Sequence, residues 1–240
     1  MKNQIKYTLA GFCMGVAELI PGISGSTIAV IFKIYPNLMQ ILSQLKLKNL
    51  TLNIRSLSEI FQLKLSLPLI FSMMTAVILC SRVINYLLTN YEELFLSSLG
   101  FLMIFLSAFI IKFFKDIFDD KKLIMFLFFG VGIGFGLQEL SISSDNISAL
   151  YIFLCGMLAF SFFLIPGISG SAMLVVLGVY GPIIQAVATL DFNLLFPFAL
   201  GCFISLLVLP KALLSIYSSH ELNLMYIFSG LILSSGIFLL

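Results

Sequence analysis

Apolar residues fall in long blocks along the chain, and polar ones are confined to short stretches between them. The blocks at 65–88, 94–114, 147–165, 192–214 and 224–240 approach the ~20 residues an α-helix needs to cross a ~30 Å hydrocarbon core. A shorter block at 123–137 is counted as a further helix. Two regions are apolar but interrupted. The blocks 7–20 and 27–43 are about 15 residues each, so as helices they reach only ~24 Å, and a Gly/Pro/Ser turn separates them. The region 151–190 is interrupted in the same way. Gly and Pro do not continue a helix, and unpaired backbone groups are not tolerated in lipid. Two short helices meeting at a turn shielded by neighbours satisfy both constraints. The regions 7–43 and 151–190 are therefore each read as a re-entrant helical hairpin, the alternative being a pair of short spanning helices with an ordinary loop. The fold class expected is an all-α polytopic membrane protein.

Composition agrees. Sixty per cent of residues are hydrophobic and 10% charged, and the mean hydropathy of +1.14 lies outside the range of soluble domains. A net charge of +2 gives no reason to expect a nucleic-acid partner. Cys13, Cys80, Cys155 and Cys202 sit in apolar runs without metal-ligand spacing and read as small packing residues. No metal or cofactor is expected. The N-terminal apolar run leads into the first interruption rather than a small-residue cleavage site, so no cleavable signal peptide is expected.

The two interruptions carry the same hexapeptide, Pro-Gly-Ile-Ser-Gly-Ser, starting at Pro21 and at Pro166, each preceded by Ile. Gly11 and Gly156 precede the two copies at one spacing, and Tyr35 and Tyr180 follow them at one spacing. Such a match indicates internal duplication. It extends further: Pro68 and Arg82 recur as Pro197 and Lys211, and Gly100-Phe101-Leu102 aligns loosely with Gly230-Leu231-Ile232. Repeat 1 (1–115) is then a hairpin (7–43) and two transmembrane helices (65–88, 94–114). Repeat 2 (147–240) is a hairpin (151–190) and two transmembrane helices (192–214, 224–240). One linker helix in 116–146 joins them. An odd number of crossings separates the hairpins, which inverts the second repeat.

Charge supports the inversion. Lys2, Lys6, Lys46, Lys48, Arg55, Lys64, Lys112, Lys115, Lys121 and Lys122 share one side, with Asp116, Asp119 and Asp120, while Glu92, Glu93, Glu139, Asp145 and Asp191 fall opposite without Lys or Arg. The positive-inside rule makes the first side cytoplasmic, with the N-terminus cytoplasmic and the C-terminus outside. The polar segment 46–64 reads as an interfacial amphipathic helix touching anionic lipid or as a solvated loop.

The hexapeptides offer chemistry. A break frees backbone N–H groups and sets hydroxyls beside the next half-helix, an arrangement that favours an anion. Gly22, Gly25, Gly167 and Gly170 allow close backbone approach, and Ser24, Ser26, Thr27, Ser169 and Ser171 can donate to phosphate oxygens. Internal capping by these serines is the competing reading. Glu18, whose counterpart is Phe163, is an ionisable group in a membrane segment and a candidate proton carrier. Arg82 and Lys211, placed near opposite faces, either attract phosphate or snorkel to headgroups. Lys33 lacks a charged counterpart, since Gly178 holds its place. Gly130, Gly132, Gly134 and Gly136 read as a small-residue packing face on the linker helix.

The run Gly11-x3-Gly15-x2-Glu18-x-Ile20-Pro-Gly-Ile-Ser-Gly-Ser-Thr27, with the second hexapeptide and Leu177-Gly-Val-Tyr180, resembles the polyprenyl-phosphate transporter family (PopT-type, undecaprenyl phosphate translocase). The resemblance covers nearly the whole chain. It departs at Ser26, where the family usually has Gly, and at Lys33, where Gly is common. It implies a flippase-type transporter in the bacterial cytoplasmic membrane that returns undecaprenyl phosphate from the outer to the inner leaflet for reuse in cell-wall glycan synthesis. The expected partners are the polyprenyl phosphate lipid and membrane lipids, with a homo-oligomer left open. Undecaprenyl-pyrophosphate phosphatases, an enzyme class, share inverted repeats and a Pro-Gly-Ile-Ser motif. Theirs continues with Arg where this chain has Gly25 and Gly170, Glu18 stands alone, and His220 is placed in a loop, so no enzyme activity is expected. A DedA-like or other small-anion transporter remains the other alternative.

Overall fold

The computed structural model describes residues 2–20, 22–46, 49, 53–113, 121–139 and 148–240. Pro21, Lys48, Lys115, Asp116, Asp119, Asp120 and Asp145 lie outside the described residues, as do the side chains of Lys2, Lys112, Lys121 and Glu139. Among the described residues the elements are all helices: α1 (Lys2–Glu18), α2 (Gly25–Ile31), α3 (Tyr35–Ser43), α4 (Ile54–Ile60), α5 (Leu63–Asn90), α6 (Glu92–Phe113), α7 (Lys121–Glu139), α8 (Ala149–Leu164), α9 (Gly170–Val176), α10 (Tyr180–Thr189) and α11 (Phe192–Phe238).

Both hexapeptides break a helix. Gly22 and Gly167 take φ of +82° and +88°, a region open to Gly at no steric cost, so α1 and α8 end there and α2 and α9 start anew. The arm after each break departs from expectation. In place of one helix over 27–43 there are two, α2 and α3, separated at Lys33 (φ +53°); α9 and α10 separate likewise at Gly178 (φ +69°) and are bent by 117°. Pro36 and Pro182, in the first turns of α3 and α10, are the sequence signals for these starts. Lys6 Nζ and Tyr151 Oη, at equivalent positions, donate to carbonyls at the two bends, those of Lys33 and Leu177. Within the polar segment 46–64, α4 is a short helix capped by Asn53.

Among the described residues three helices are long and apolar enough to cross a membrane, Leu63–Asn90, Glu92–Ile110 and Phe192–Phe238, or four if the bent α9–α10 pair counts as one span. Their outward faces carry large apolar side chains such as Phe71, Leu79, Leu94, Phe105, Phe196 and Val208, the surface expected against lipid rather than water. At 47 residues α11 would measure ~70 Å, about twice a membrane core. It is divided at His220, whose φ/ψ of −142°/47° is non-helical. The loop expected between 214 and 224 is thus a one-residue kink, and His220 sits at it. We call the two parts α11a (192–219) and α11b (221–238). Tyr91, between α5 and α6, has nearly the same conformation (φ −140°, ψ 36°). Tyr91 and His220 keep the spacing that relates Pro68 to Pro197, which pairs Gly100 with Ser229. The loose alignment of Gly100 with Gly230 is therefore one residue out of register.

Central α11 packs against α8, α7, α6 and α3, while α1 packs along α5. Glycines set these approaches. A Cβ at Gly11 would overlap the Leu69 carbonyl, and one at Gly156 the Phe198 carbonyl, the same contact made once in each half. Gly130 and Gly134 press on α11 at Ile227 and Ser234, whereas Gly132 and Gly136 face open space. The four-glycine packing face is thus two residues wide, because positions two apart lie on nearly opposite sides of a helix. Gly156→Ala should lower the thermal midpoint of the detergent-solubilised protein, the overlap costing about 1–3 kcal/mol. Gly132→Ala should leave it unchanged or raise it slightly, since nothing stands within 4 Å and Ala is the better helix former.

Candidate functional site

The fold brings the two hexapeptides together. Thr27, with no exposure, accepts a hydrogen bond at Oγ1 from the Gly167 backbone N–H at 2.9 Å. Ser24 Oγ lies 3.4 Å from the Phe163 carbonyl, and Tyr35 Oη donates to the Leu164 carbonyl at 3.1 Å. The Gly167 carbonyl accepts from Ser235 Oγ of α11b. Each of these contacts gives a partner to a backbone group near the second break that would otherwise stand unpaired in apolar surroundings.

Each tip also carries a hydroxyl pair. Ser24 and Ser26 hydrogen-bond at 2.7 Å, and Ser169 and Ser171 at 2.8 Å. Surroundings distinguish them. Ser24 and Ser26 are buried, whereas Ser169 is buried and Ser171 exposed. Ser24 caps α2 by accepting from the Ser26 N–H, so the capping reading holds in part at the first tip; Ser169 makes no side-chain cap on α9. Gly25 and Gly170 lie against the helix before their own break: a Cβ on Gly25 would meet Glu18 at 2.7 Å, and one on Gly170 would meet the Ala159 carbonyl at 2.8 Å. Gly25 donates its N–H to Glu18 Oε1 at 2.7 Å, a charge-assisted length. In the second half Phe163 takes the Glu18 position and packs its Cβ on Gly170. The first tip thus holds an internal carboxylate where the second holds only an aromatic ring.

Of the residues singled out in the sequence, Glu18, Gly22, Ser24, Gly25, Ser26, Thr27, Gly167, Ser169, Gly170 and Ser171 form or flank the joined tips. Arg82 and Lys211 do not. Both are exposed, and neither has a hydrogen bond or ion pair with a described residue. Side chains not foreseen as part of the site close one flank of the tips. Tyr35, 1% exposed, stacks edge-on against Phe228 (5.4 Å between centroids) and lies 6.2 Å from Tyr217. The recurrence of Tyr35 as Tyr180 was the available signal.

The model of the VCA0040-like, undecaprenyl phosphate translocase-like family matches residues 14–238. The chain belongs to that family. It is 28% identical over 215 residues to a polyprenyl-phosphate transporter of Vibrio cholerae serotype O1, covering 85% of this chain and 67% of the relative. It is 28% identical over 192 residues to a polyprenyl-phosphate transporter of Staphylococcus aureus, covering 75% and 64%. The chain thus spans about two thirds of the length of these curated relatives. No solved structure matches. The matched residues include both tips, which the Thr27–Gly167 bond joins. Thr27→Ala leaves a buried N–H unpaired and should destabilise the solubilised protein by about 1–3 kcal/mol in thermal unfolding, with Thr27→Ser restoring most of it.

Proposed function

We propose that the protein is a flippase-type transporter that moves a polyprenyl phosphate, such as undecaprenyl phosphate, from the outer to the inner leaflet of the bacterial cytoplasmic membrane for carrier reuse. The observation that carries this reading is the meeting of two hydroxyl- and glycine-bearing helix breaks inside an apolar helical body. A phosphate cannot enter hydrocarbon bare, whereas its prenyl tail can stay in lipid throughout. Tip hydroxyls and N–H groups would replace the headgroup's water, with Gly22, Gly25, Gly167 and Gly170 allowing close approach. The names of the family and of the two bacterial relatives support the cargo.

In this reading the two halves are inverted repeats that rock about the tips, with the N-terminus cytoplasmic and the C-terminus outside. A reciprocal contact between α6 and α11b supports a two-fold relation. Gly100 meets Gly236, and Ser229 Oγ donates to the Ser107 carbonyl, a pair that maps onto the first when the halves are exchanged. Glu18 occupies a donor that an incoming anion would use. Headgroup capture at the first tip therefore requires the carboxylate to swing away or take a proton. Arg82 and Lys211 would attract the phosphate at opposite mouths. The reading is of a transporter, not an enzyme, and Glu18 supports it by being engaged with a backbone N–H rather than with a second acid or base.

The deciding experiment is leaflet exchange of undecaprenyl phosphate in proteoliposomes, with pyrophosphate hydrolysis followed in parallel. Exchange without hydrolysis is expected, and hydrolysis without exchange would turn the assignment to an enzyme. Ser24→Ala and Ser169→Ala should each weaken headgroup binding by about 1–3 kcal/mol. Arg82→Ala should chiefly slow capture from the outer leaflet and Lys211→Ala the steps at the inner face; unchanged rates in both would leave them as snorkelling cations. With wild-type Glu18, headgroup binding should rise as pH falls and the carboxylate is neutralised. Glu18→Gln should retain binding and flatten that dependence. Cysteines at Lys46 and Lys122 should react only from the cytoplasm and those at Asn90 and Asp191 only from outside; reaction of all four from one side would end the inverted arrangement.

A further inference from the structure

Two cavities lie at the two ends of the α6–α11b pair. One, of about 310 Å³, is lined by Lys33, Tyr35, Ile110, Tyr217, Glu221 and Met225 among others. The second, of about 350 Å³, is lined by Glu92, Glu93, Leu96, Ser97, Leu239 and Leu240. At the spacing that relates Pro68 to Pro197, Glu92 corresponds to Glu221, Leu96 to Met225 and Ile110 to Leu239. Three lining positions of the two cavities are thus equivalent, one set at each end of the helix pair, and the first cavity alone is lined as well by residues of a hairpin arm, Val30 to Pro36.

Their relation to the tips is unequal. Tyr35 forms a wall of the first cavity, and its hydroxyl crosses to the Leu164 carbonyl, just before the second break. The ring is held by Phe228 and Tyr217, so the tyrosine stands between this cavity and the tips. At the hexapeptide spacing the counterpart of Tyr35 is Tyr180 and that of Leu164 is Leu19. Tyr180 is 43% exposed and makes no side-chain hydrogen bond among the described residues, and the Leu19 carbonyl accepts none from them. On the other side Leu239, a wall residue of the second cavity, is the neighbour that a Cβ on Gly22 would meet at 3.3 Å, so an aliphatic side chain with no hydrogen bond to hold it stands between that cavity and the first tip.

We propose that Tyr35 and Tyr180 are alternating latches. In this state Tyr35 is bonded to Leu164 and seals the tips from the Lys33 face, while no tyrosine bond holds the Glu92 face shut. In the opposite state Tyr180 bonds the Leu19 carbonyl and seals the Glu92 face, and Tyr35 releases. The inference rests on the proposed alternating access and supplies its gating residues. The latches are unequal. Phe228 and Tyr217, which brace Tyr35, correspond to Leu99 and Leu88, so Tyr180 would close against aliphatic side chains. Thr27, which holds Gly167 here, corresponds to Ala172, which cannot accept from Gly22. Both differences favour the state with the Lys33 face shut.

The test uses the full chain in vesicles of both orientations, with the native cysteines replaced and Ser24→Cys as a reporter at the tip. A charged, membrane-impermeant methanethiosulfonate is added from one face at a time. Tyr35→Phe should raise reporter reactivity from the Lys33 face about five-fold, as expected for loss of one hydrogen bond from the closed latch. Thr27→Ala should act in the same direction. Tyr180→Phe should lower reactivity from the Lys33 face, because it removes the bond that holds the opposite state, and leave the already favoured access from the Glu92 face nearly unchanged. The proposal is overturned if Tyr35→Phe leaves Lys33-face reactivity unchanged, or if Tyr35→Phe and Tyr180→Phe shift access in the same direction. Reagent access requires no lipid cargo. Opposite shifts without undecaprenyl phosphate exchange would therefore remove the cargo assignment and keep the latch, and exchange without opposite shifts would do the reverse.

Discussion

An interrupted helix in apolar surroundings leaves backbone donors and acceptors that neither lipid nor a neighbouring leucine can satisfy. This chain meets that constraint by setting its two interruptions against each other. The Gly167 N–H finds Thr27, the Gly167 carbonyl finds Ser235, the Leu164 carbonyl finds Tyr35, and the Gly25 N–H finds Glu18. An unpaired group in such a place costs roughly as much as any single contact in the protein contributes. The tips therefore cannot drift apart without new partners, and the surrounding helices are arranged to keep them joined.

Glycine at Gly11 and Gly156 makes that arrangement possible. Each lets the arm before a break lie directly on the backbone of the helix that follows its hairpin, α5 or α11a. The arms are held by van der Waals contact over a close approach, as expected where lipid offers no hydrophobic driving force between helices. The reciprocal contact of α6 with α11b then ties one half to the other.

The two hairpins share one hexapeptide and differ around it at the points that matter. Glu18 faces Gly25 where Phe163 faces Gly170, Thr27 stands where the other half has Ala172, and Tyr35 is buried where Tyr180 is exposed. Lys33 holds a left-handed conformation that Gly178 adopts freely, which costs about 1–2 kcal/mol for a side chain bearing a Cβ. That strain explains why glycine suits the position. In exchange, a cation lines the first cavity.

Much of the organisation was legible in the chain itself. Apolar block lengths pointed to helices long enough to span lipid, because a helix pairs its backbone groups internally over ~30 Å. The repeated hexapeptide located both breaks, since Pro and Gly interrupt helices wherever they occur in this form. The bends at Lys33 and Gly178, the kink at His220 and the Gly100–Ser229 register were not read there. They depend on single φ/ψ values and on which carbonyl a glycine meets, which only packing decides. The partners of each break were equally hidden: Thr27 and Gly167 are far apart in the chain, and any nearby hydroxyl could have filled that role. What the sequence determined by itself was where backbone groups would be left unpaired and which residue types stood ready nearby. The tertiary structure alone decided which donor meets which acceptor, because that choice is made by helices brought together from opposite ends of the chain.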